Sequence, residues 1–408
     1  MSSALLAVSE SLLDADLASL LVLTLVAAIV PIAVGLLRLR IAEVVLLLAF
    51  GVIVGPQVLG LVHLDETLRT FNELGLGLLF FLAGYELDRK AIEGESGRLA
   101  LIGWATSILL AFIVVSGLWL AGIVSDLAGV AIALASTALG TLLPVVRDRG
   151  LLHTRFGMMF MGAGAAGEFG PILAIAILLG SGSFLAEILL LALFAVFAVV
   201  LYLAPGRMAS GRLATIVERG EHTSSQTAVR WTMVLLLGLL LITAKFGFDA
   251  VLGAFVAGVI LRRYSPVGES NRLTPKMEAI GFGFFIPLFF VMSGANLDIN
   301  SIIANPLRLL MFFALLLAVR GVPQYFLYRK AIPDQRERSQ FTLYVATALP
   351  ILVAITSLEV SNGFMRPENG AALVGAGALS VLVFPMLGDA INKPRALAEE
   401  FSELDVEH

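Results

Sequence analysis

One carboxylate sits where a charge is costly. Glu168 lies in Met161-Gly-Ala-Gly-Ala-Ala-Gly-Glu168-Phe-Gly-Pro171, and no other charged residue occurs between Arg155 and Glu187. An acid deep in an apolar run costs several kcal/mol unless it is partnered or hydrated, so the chemistry it offers is reversible binding of a proton or of a monovalent cation. The small residues around it let neighbouring helices approach and leave room for water beside the carboxylate. Pro171 lacks an N–H and so frees the carbonyl four residues earlier, that of Gly167, as a further oxygen ligand. The alternative is a protonated structural carboxyl held inside a bundle.

Two polar interruptions lie in other apolar runs: Ser136-Thr137 with Gly140-Thr141, and Thr347 with Pro350. They are read as broken helices, whose exposed carbonyls and half-helix ends can ligate a cation stripped of water. Ser and Thr can instead bond the carbonyl of their own preceding turn. Arg320, in Leu315-Leu-Leu-Ala-Val-Arg320-Gly-Val-Pro323, is the basic residue placed deepest in an apolar run. It keeps its proton at any ordinary pH, so it serves as a counter-charge and not as a proton carrier. Glu168 is its obvious acidic partner; snorkelling or a purely structural bond are the alternatives. Glu43, Glu73, Glu86, Asp126, Glu187 and Asp249 sit near the ends of apolar runs, where a charge at headgroup level is ordinary, and are read as structural.

The elements that must position these residues are set by composition. Of 408 residues 59% are apolar and 14% charged, and the mean hydropathy is +0.95, so the solvent is lipid. An all-α polytopic fold follows. About thirteen stretches approach the ~20 residues needed to cross a bilayer: 17–36, 41–60, 71–87, 99–122, 128–146, 156–180, 183–204, 229–246, 248–262, 279–297, 306–328, 338–357 and 370–391. With the N-terminus outside, alternate connections place 22 of the 27 basic residues on the cytoplasmic side. Arg69, Lys245, Arg308 and Arg366 fall outside, and Arg320 within a span. Residues 1–16 are then an external tail, 17–392 the transport domain and 393–408 a cytoplasmic tail.

The halves resemble each other at a nearly fixed offset. Ala49-Phe50-Gly51-Val52-Ile53 matches Ala254-Phe255-Val256-Ala257-Gly258-Val259-Ile260. Leu79-Phe80-Phe81 with Gly84 and Leu87-Asp88 matches Leu288-Phe289-Phe290 with Gly294 and Leu297-Asp298, and Ser136-Thr137-Ala138-Leu139 matches Ala346-Thr347-Ala348-Leu349. Seven spans separate each pair, and seven is odd, so the second copy runs through the membrane in the opposite sense. Repeat one covers about 41–180 and repeat two about 248–391, with spans 17–36, 183–204 and 229–246 outside them. Inverted repeats give one scaffold two equivalent arrangements, open to opposite sides, which is alternating access.

These residues resemble the monovalent cation:proton antiporters, in the branch holding Kef-type potassium-efflux systems and sodium/proton exchangers. The resemblance covers nearly the whole chain. It is carried by Gly51-Val-Ile-Val-Gly55-Pro56-Gln-Val-Leu-Gly60-Leu61, by Glu73-Leu-Gly75 running into Leu82-Ala-Gly84-Tyr-Glu86-Leu-Asp88, and by Ala135-Ser-Thr-Ala138 through Arg149-Gly150-Leu-Leu-His-Thr154-Arg-Phe-Gly157. It implies a homodimer in the cytoplasmic membrane of a prokaryote, with two crossed broken helices in a core that moves against a dimerisation domain, and a role in pH regulation. It also implies that Glu168 fills the place of the family's transport carboxylate and Arg320 that of its basic residue. The sequence departs in having a single acid, Gly167-Glu168, where relatives often have two polar residues. A Gly-Glu-Phe element that Kef-type members often carry in the second break is replaced by Ala346-Thr-Ala-Leu-Pro350.

The expected function is exchange of Na⁺ or K⁺ for H⁺, one for one, with Glu168 as the shared site. The partners are the cation, the proton and membrane lipid, with no nucleic acid and no resident cofactor. A uniporter, a gated efflux pathway without proton coupling, or a transporter-derived sensor is the alternative. The sequence has no cysteine, its four histidines lack ligand spacing, and no nucleophile–base pair occurs in the spans, which argues against an enzyme.

Overall fold

The computed structural model describes residues 2–37, 42–63, 65–86, 94–152, 154–178, 226–245, 250–264 and 273–392, with positions 193, 196, 198 and 199 besides. Its helices are α1 (Ser2–Leu37), α2 (Glu43–Val54), α3 (Glu66–Glu86), α4 (Gly94–Leu120), α5 (Leu127–Leu134), α6 (Leu139–Asp148) and α7 (Arg155–Leu178) in the first half. In the second half they are α8 (Thr227–Lys245), α9 (Ala250–Tyr264), α10 (Leu273–Ala295), α11 (Ile299–Ala304), α12 (Pro306–Leu327), α13 (Gln335–Val345), α14 (Pro350–Ser361) and α15 (Pro367–Ile391). Eight helical segments among the described residues are long and apolar enough to cross a membrane, the broken α13–α14 counted as one. The shorter α2, α9 and the broken α5–α6, together with the more polar α3, occupy the other expected spans. The span at 183–204 lies mostly outside the described residues, as does the 393–408 tail. The N-terminal stretch 2–16 is helical from Ser2 and continuous with the first span; it holds no Gly or Pro to stop the helix.

The helices form two bundles. A scaffold bundle gathers α1, α2, α3, α8, α9 and α10; a core bundle gathers α4–α7 and α12–α15. Two crossings lock the scaffold, α2 on α10 and α3 on α9. At each, glycines from both helices face backbone: a Cβ on Gly51 or Gly294 would collide with the carbonyls of Val291 or Leu48, and one on Gly84 or Gly258 with those of Phe255 or Phe81. Gly51 matches Gly258 and Gly84 matches Gly294 at the repeat offset, so the two crossings are copies of one arrangement. In lipid, such small-residue contacts carry helix association, since apolar burial drives little of it there.

In the core each repeat contributes a helix that stops in mid-bundle. α5 ends at Leu134 and α6 restarts at Leu139; α13 ends at Val345 and α14 restarts at Pro350. Both incoming halves begin with an aspartate cap, Asp126 accepting from the Gly129 N–H at 2.7 Å and Asp334 from the Glu337 N–H at 2.8 Å. Pro350 sits in the first turn of α14, where its missing N–H costs nothing. Beside the crossing, Phe156, Phe160, Phe341 and Tyr344 pack edge to face and fill the core.

Candidate functional site

The two breaks touch through backbone. The Ala138 N–H donates to the Thr347 carbonyl at 2.8 Å, and the Thr137 N–H donates to the Gly167 carbonyl of α7 at 2.9 Å. The negative ends of α5 and α13 and the positive ends of α6 and α14 therefore meet within a few residues of one point. No water-filled surface is needed to satisfy the broken backbone, because each break uses the other and the neighbouring helix.

Glu168 stands at this crossing. It is 7% exposed, and its carboxylate accepts a hydrogen bond from the Gly140 N–H in the first turn of α6. A carboxylate at a helix N-terminus gains up to about 2 kcal/mol in a partly buried setting. Gly140 itself is exposed, so the carboxylate lies at the edge of an accessible space and not inside a sealed core. Glu86, at the end of α3 in the scaffold, acts on Glu168 electrostatically.

Arg320 is 0% exposed and lies in a π-helical turn, Leu316–Gly321, within α12. The turn adds a residue to the helical register and often marks a functional position. Its guanidinium is held by neutral oxygens: Nε donates to Thr137 Oγ1 at 2.9 Å, Nη2 to the Ala163 carbonyl at 2.8 Å and Nη1 to Ser107 Oγ at 3.5 Å. The expected direct pair with Glu168 is not formed. Arg320 Nη2 instead meets the backbone of α7, 2.6 Å from where a Gly167 Cβ would be, at the residue before Glu168. Arg320 therefore braces the first break through Thr137, with its guanidinium beside Gly167, the residue before Glu168.

The remaining sequence-selected residues divide. Thr137 Oγ1 crosses to the other repeat and donates to the Val345 carbonyl at 2.7 Å, closing the end of α13. Ser136 and Thr347 bond back within their own helices, to Ala133 and Leu343, which is the local alternative for such hydroxyls. The Gly167 carbonyl, read as a free ligand above Pro171, already receives the Thr137 N–H. Thr141 is half-buried in the first turn of α6. Among the described residues no group of His, Cys, Asp or Glu could hold a metal ion by clustering.

A cavity of about 730 Å³ opens between the bundles; its lining includes Glu73, Val251, Ser293, Asp298, Thr356 and, on α7, Ile175. Ile175 is two turns along α7 from Glu168. One turn along α9 from Val251, Phe255 meets Phe169 with ring centroids 4.4 Å apart, so an aromatic contact joins scaffold and core next to the carboxylate.

Several partners of the site carry little signal in the sequence. Ser107 and Gln324 back Arg320, and Ser380 serves the second break, where its Oγ accepts from the Ala348 N–H at 3.1 Å. The one available signal was spacing: Gln324 is four residues after Arg320 and shares its helix face. Asp126, read as a headgroup-level charge, is buried and hydrogen-bonds with Glu359 of α14.

The description of the family matched over residues 23–389 is sodium/hydrogen exchanger, transmembrane. The chain is 25% identical to the putative Na⁺/H⁺ antiporter YjbQ of Bacillus subtilis, over 94% of this chain and 64% of that protein. It is 29% identical to the glutathione-regulated potassium-efflux system protein KefC of Salmonella heidelberg, over 91% of this chain and 59% of that one. It thus spans about three fifths of the length of these relatives. The solved sodium proton antiporter MjNhaP1 of Methanocaldococcus jannaschii shares the fold, with a TM-score of 0.60 at 14% identity over 91% of this chain and 95% of that one.

Proposed function

This chain belongs to the sodium/hydrogen exchanger family, and from that premise we propose that it exchanges Na⁺ or K⁺ for H⁺ by alternating access, with Glu168 as the shared site. The observation that carries the reading is a single acid at the crossing of two broken helices, bonded to the positive end of α6, with the Arg320 guanidinium beside Gly167, the residue before it.

The bookkeeping of charge supplies the coupling. A carboxylate that is ionised and empty is costly to carry through the middle of the bundle. Either a proton or a monovalent cation removes that charge, so the core moves loaded with one or the other. The two states carry the same net charge, and exchange is one for one and electroneutral. We assign Thr137, Ser136 and the carbonyls of the breaks, Gly167 among them, as the oxygens that would join Glu168 in holding such a cation. Arg320 opposes proton retention without itself titrating. With the N-terminus outside, the cavity bordered by Glu73 and Asp298 faces outward, and sliding of the core against the glycine-locked scaffold past Phe169 and Phe255 opens the other side.

Cation-driven proton flux in proteoliposomes tests this, run with Na⁺ and with K⁺ at two imposed voltages. One-for-one exchange predicts a rate that voltage does not change. Cation flux without proton counterflow would replace the reading by a uniporter.

A further inference from the structure

Arg320 is a permanent cation, fully buried, with no carboxylate among its hydrogen-bond partners in the described residues. Such a side chain needs every donor aimed at an oxygen, and the oxygens must themselves be fixed. Thr137 and Ala163 belong to the breaks and to α7. The third support comes from the far side of the bundle, from α4, which carries none of the residues assigned to transport.

There α4 is shaped to receive α12. Gln324, one turn beyond Arg320, is 1% exposed and donates from Nε2 to the Gly103 carbonyl at 2.8 Å and to Ser107 Oγ at 3.2 Å. Gly103 lacks the atom that would block this: a Cβ there would lie 2.8 Å from Nε2 and 2.9 Å from Cδ of Gln324. Ser107, 0% exposed, takes the Gln324 amide and Arg320 Nη1 on the same oxygen. The chain of contacts runs Gly103, Gln324, Ser107, Arg320, Thr137, Val345, from the α4 backbone to the end of α13 without reaching solvent.

We infer that Ser107 and Gln324 are positioning residues for exchange: they fix the Arg320 guanidinium against Thr137 and Gly167, and so set how strongly the positive charge disfavours the proton on Glu168. This rests on the proposed role of Glu168. The other groups bearing on the pair are Glu86 of α3, which acts on Glu168 and is itself influenced by Glu278 of α10 and Arg147 of α6, and Tyr328 of α12, which acts on Arg320. None of them lies between Ser107 and Arg320. When the network loosens, Arg320 is freer to withdraw, the proton is held more tightly, and the cation competes less well at a given pH.

The test is the pH profile of cation-driven proton flux, with the apparent cation KM at a fixed acid pH, for Ser107→Ala, Ser107→Thr, Gln324→Glu and Glu168→Gln in proteoliposomes. Ser107→Ala removes one oxygen and almost no volume; its midpoint should move up by about one pH unit, a tenfold change in proton affinity, with KM raised in step. Ser107→Thr keeps the hydroxyl and should restore the profile. Gln324→Glu places a carboxylate beside the guanidinium and should move the midpoint further in the same direction. A purely structural role lowers the amount of folded protein and leaves the midpoint where it was; unmoved midpoints in folded Ser107→Ala and Gln324→Glu would overturn the inference. Exchange that survives Glu168→Gln would instead remove the reading on which it rests, so the two failures are told apart.

Discussion

The break between α5 and α6 and the break between α13 and α14 are copies of one construction carrying different charges. Each incoming half is capped by an aspartate, Asp126 in one and Asp334 in the other, and each break lies beside a glycine of the following span, Gly167 or Gly377. At the first break the residue after that glycine is Glu168, and Arg320 reaches in from the other repeat. At the corresponding positions, 210 residues away, stand Ala378 and Leu110. The second break closes with a hydroxyl instead: Ser380 accepts from the Ala348 N–H and donates to the Gly377 carbonyl at 2.7 Å. The symmetric part makes two equivalent conformations; the asymmetric part puts one binding charge in only one of two otherwise equivalent places. In the function proposed above, that single binding charge is what would hold exchange to one proton per cation.

That comparison can be broken at several points. The largest effect is expected from the glycine pair. In Gly167→Ala the new methyl meets Thr137 and the Arg320 guanidinium, and in Gly377→Ala it lies 2.7 Å from the Ala348 carbonyl and 2.9 Å from Leu352 Cδ1. Both should lose about 1–3 kcal/mol of stability from overpacking. Exchange at matched amounts of folded protein should fall on the order of 100-fold for Gly167→Ala, since about 3 kcal/mol misplaced at the site is worth that much, and far less for Gly377→Ala. Equal losses in the two would mean that the breaks contribute alike. Next, Ser380→Ala strands a buried N–H and should cost about 1–3 kcal/mol in thermal unfolding of the detergent-solubilised protein, with the pH midpoint of exchange unchanged.

The smallest effect separates the capped ends. Burial pushes the Asp126 carboxyl up from its ordinary range, while hydrogen bonds from the Gly129 N–H and Glu359 act the other way. The exposed Asp334 carboxyl is held below its ordinary range, first by the Glu337 N–H. The folded protein therefore holds a proton on Asp126 more tightly than the unfolded chain does, and this contribution to stability is present below the ordinary aspartate pKa and lost as pH rises through the raised value. For Asp334 the sign reverses: stability is present above the ordinary pKa and lost as pH falls through the lowered one. Asp126→Asn keeps a competent cap and should flatten the melting-temperature profile just above the ordinary aspartate pKa, whereas Asp334→Asn should flatten it just below. Identical profiles for the two variants would show that the caps are electrostatically equivalent.

Much of this was legible in the sequence. The polar interruptions at Ser136-Thr137 and at Thr347 with Pro350 mark both breaks, and Glu168 stands out as the lone acid between Arg155 and Glu187, because hydropathy and repeat offset are local or periodic signals. Contacts that close across the fold were not. Arg320 pointed to Glu168 by charge alone, yet its oxygens come from positions 107, 137 and 163, and no sequence pattern marks Ser107 among the small residues of α4. Pro171 frees the carbonyl at Gly167, but the Thr137 N–H that occupies it lies in another span. The hydroxyls of Ser136 and Thr347 resembled that of Thr137 in sequence and differ from it only in which carbonyl lies nearest. Asp126 looked like a surface charge because its distance from the span end was visible and its neighbour Glu359, more than two hundred residues on, was not.

The claim at the centre is that one carboxylate carries both fluxes. Glu168→Gln keeps the shape and removes the charge, so its cation-driven proton flux in proteoliposomes, beside the unaltered protein at matched reconstitution, tests the claim most directly. If Glu168 is the shared site, the variant gives flux at the level of empty vesicles with either Na⁺ or K⁺; near-normal exchange by folded Glu168→Gln would rule that role out.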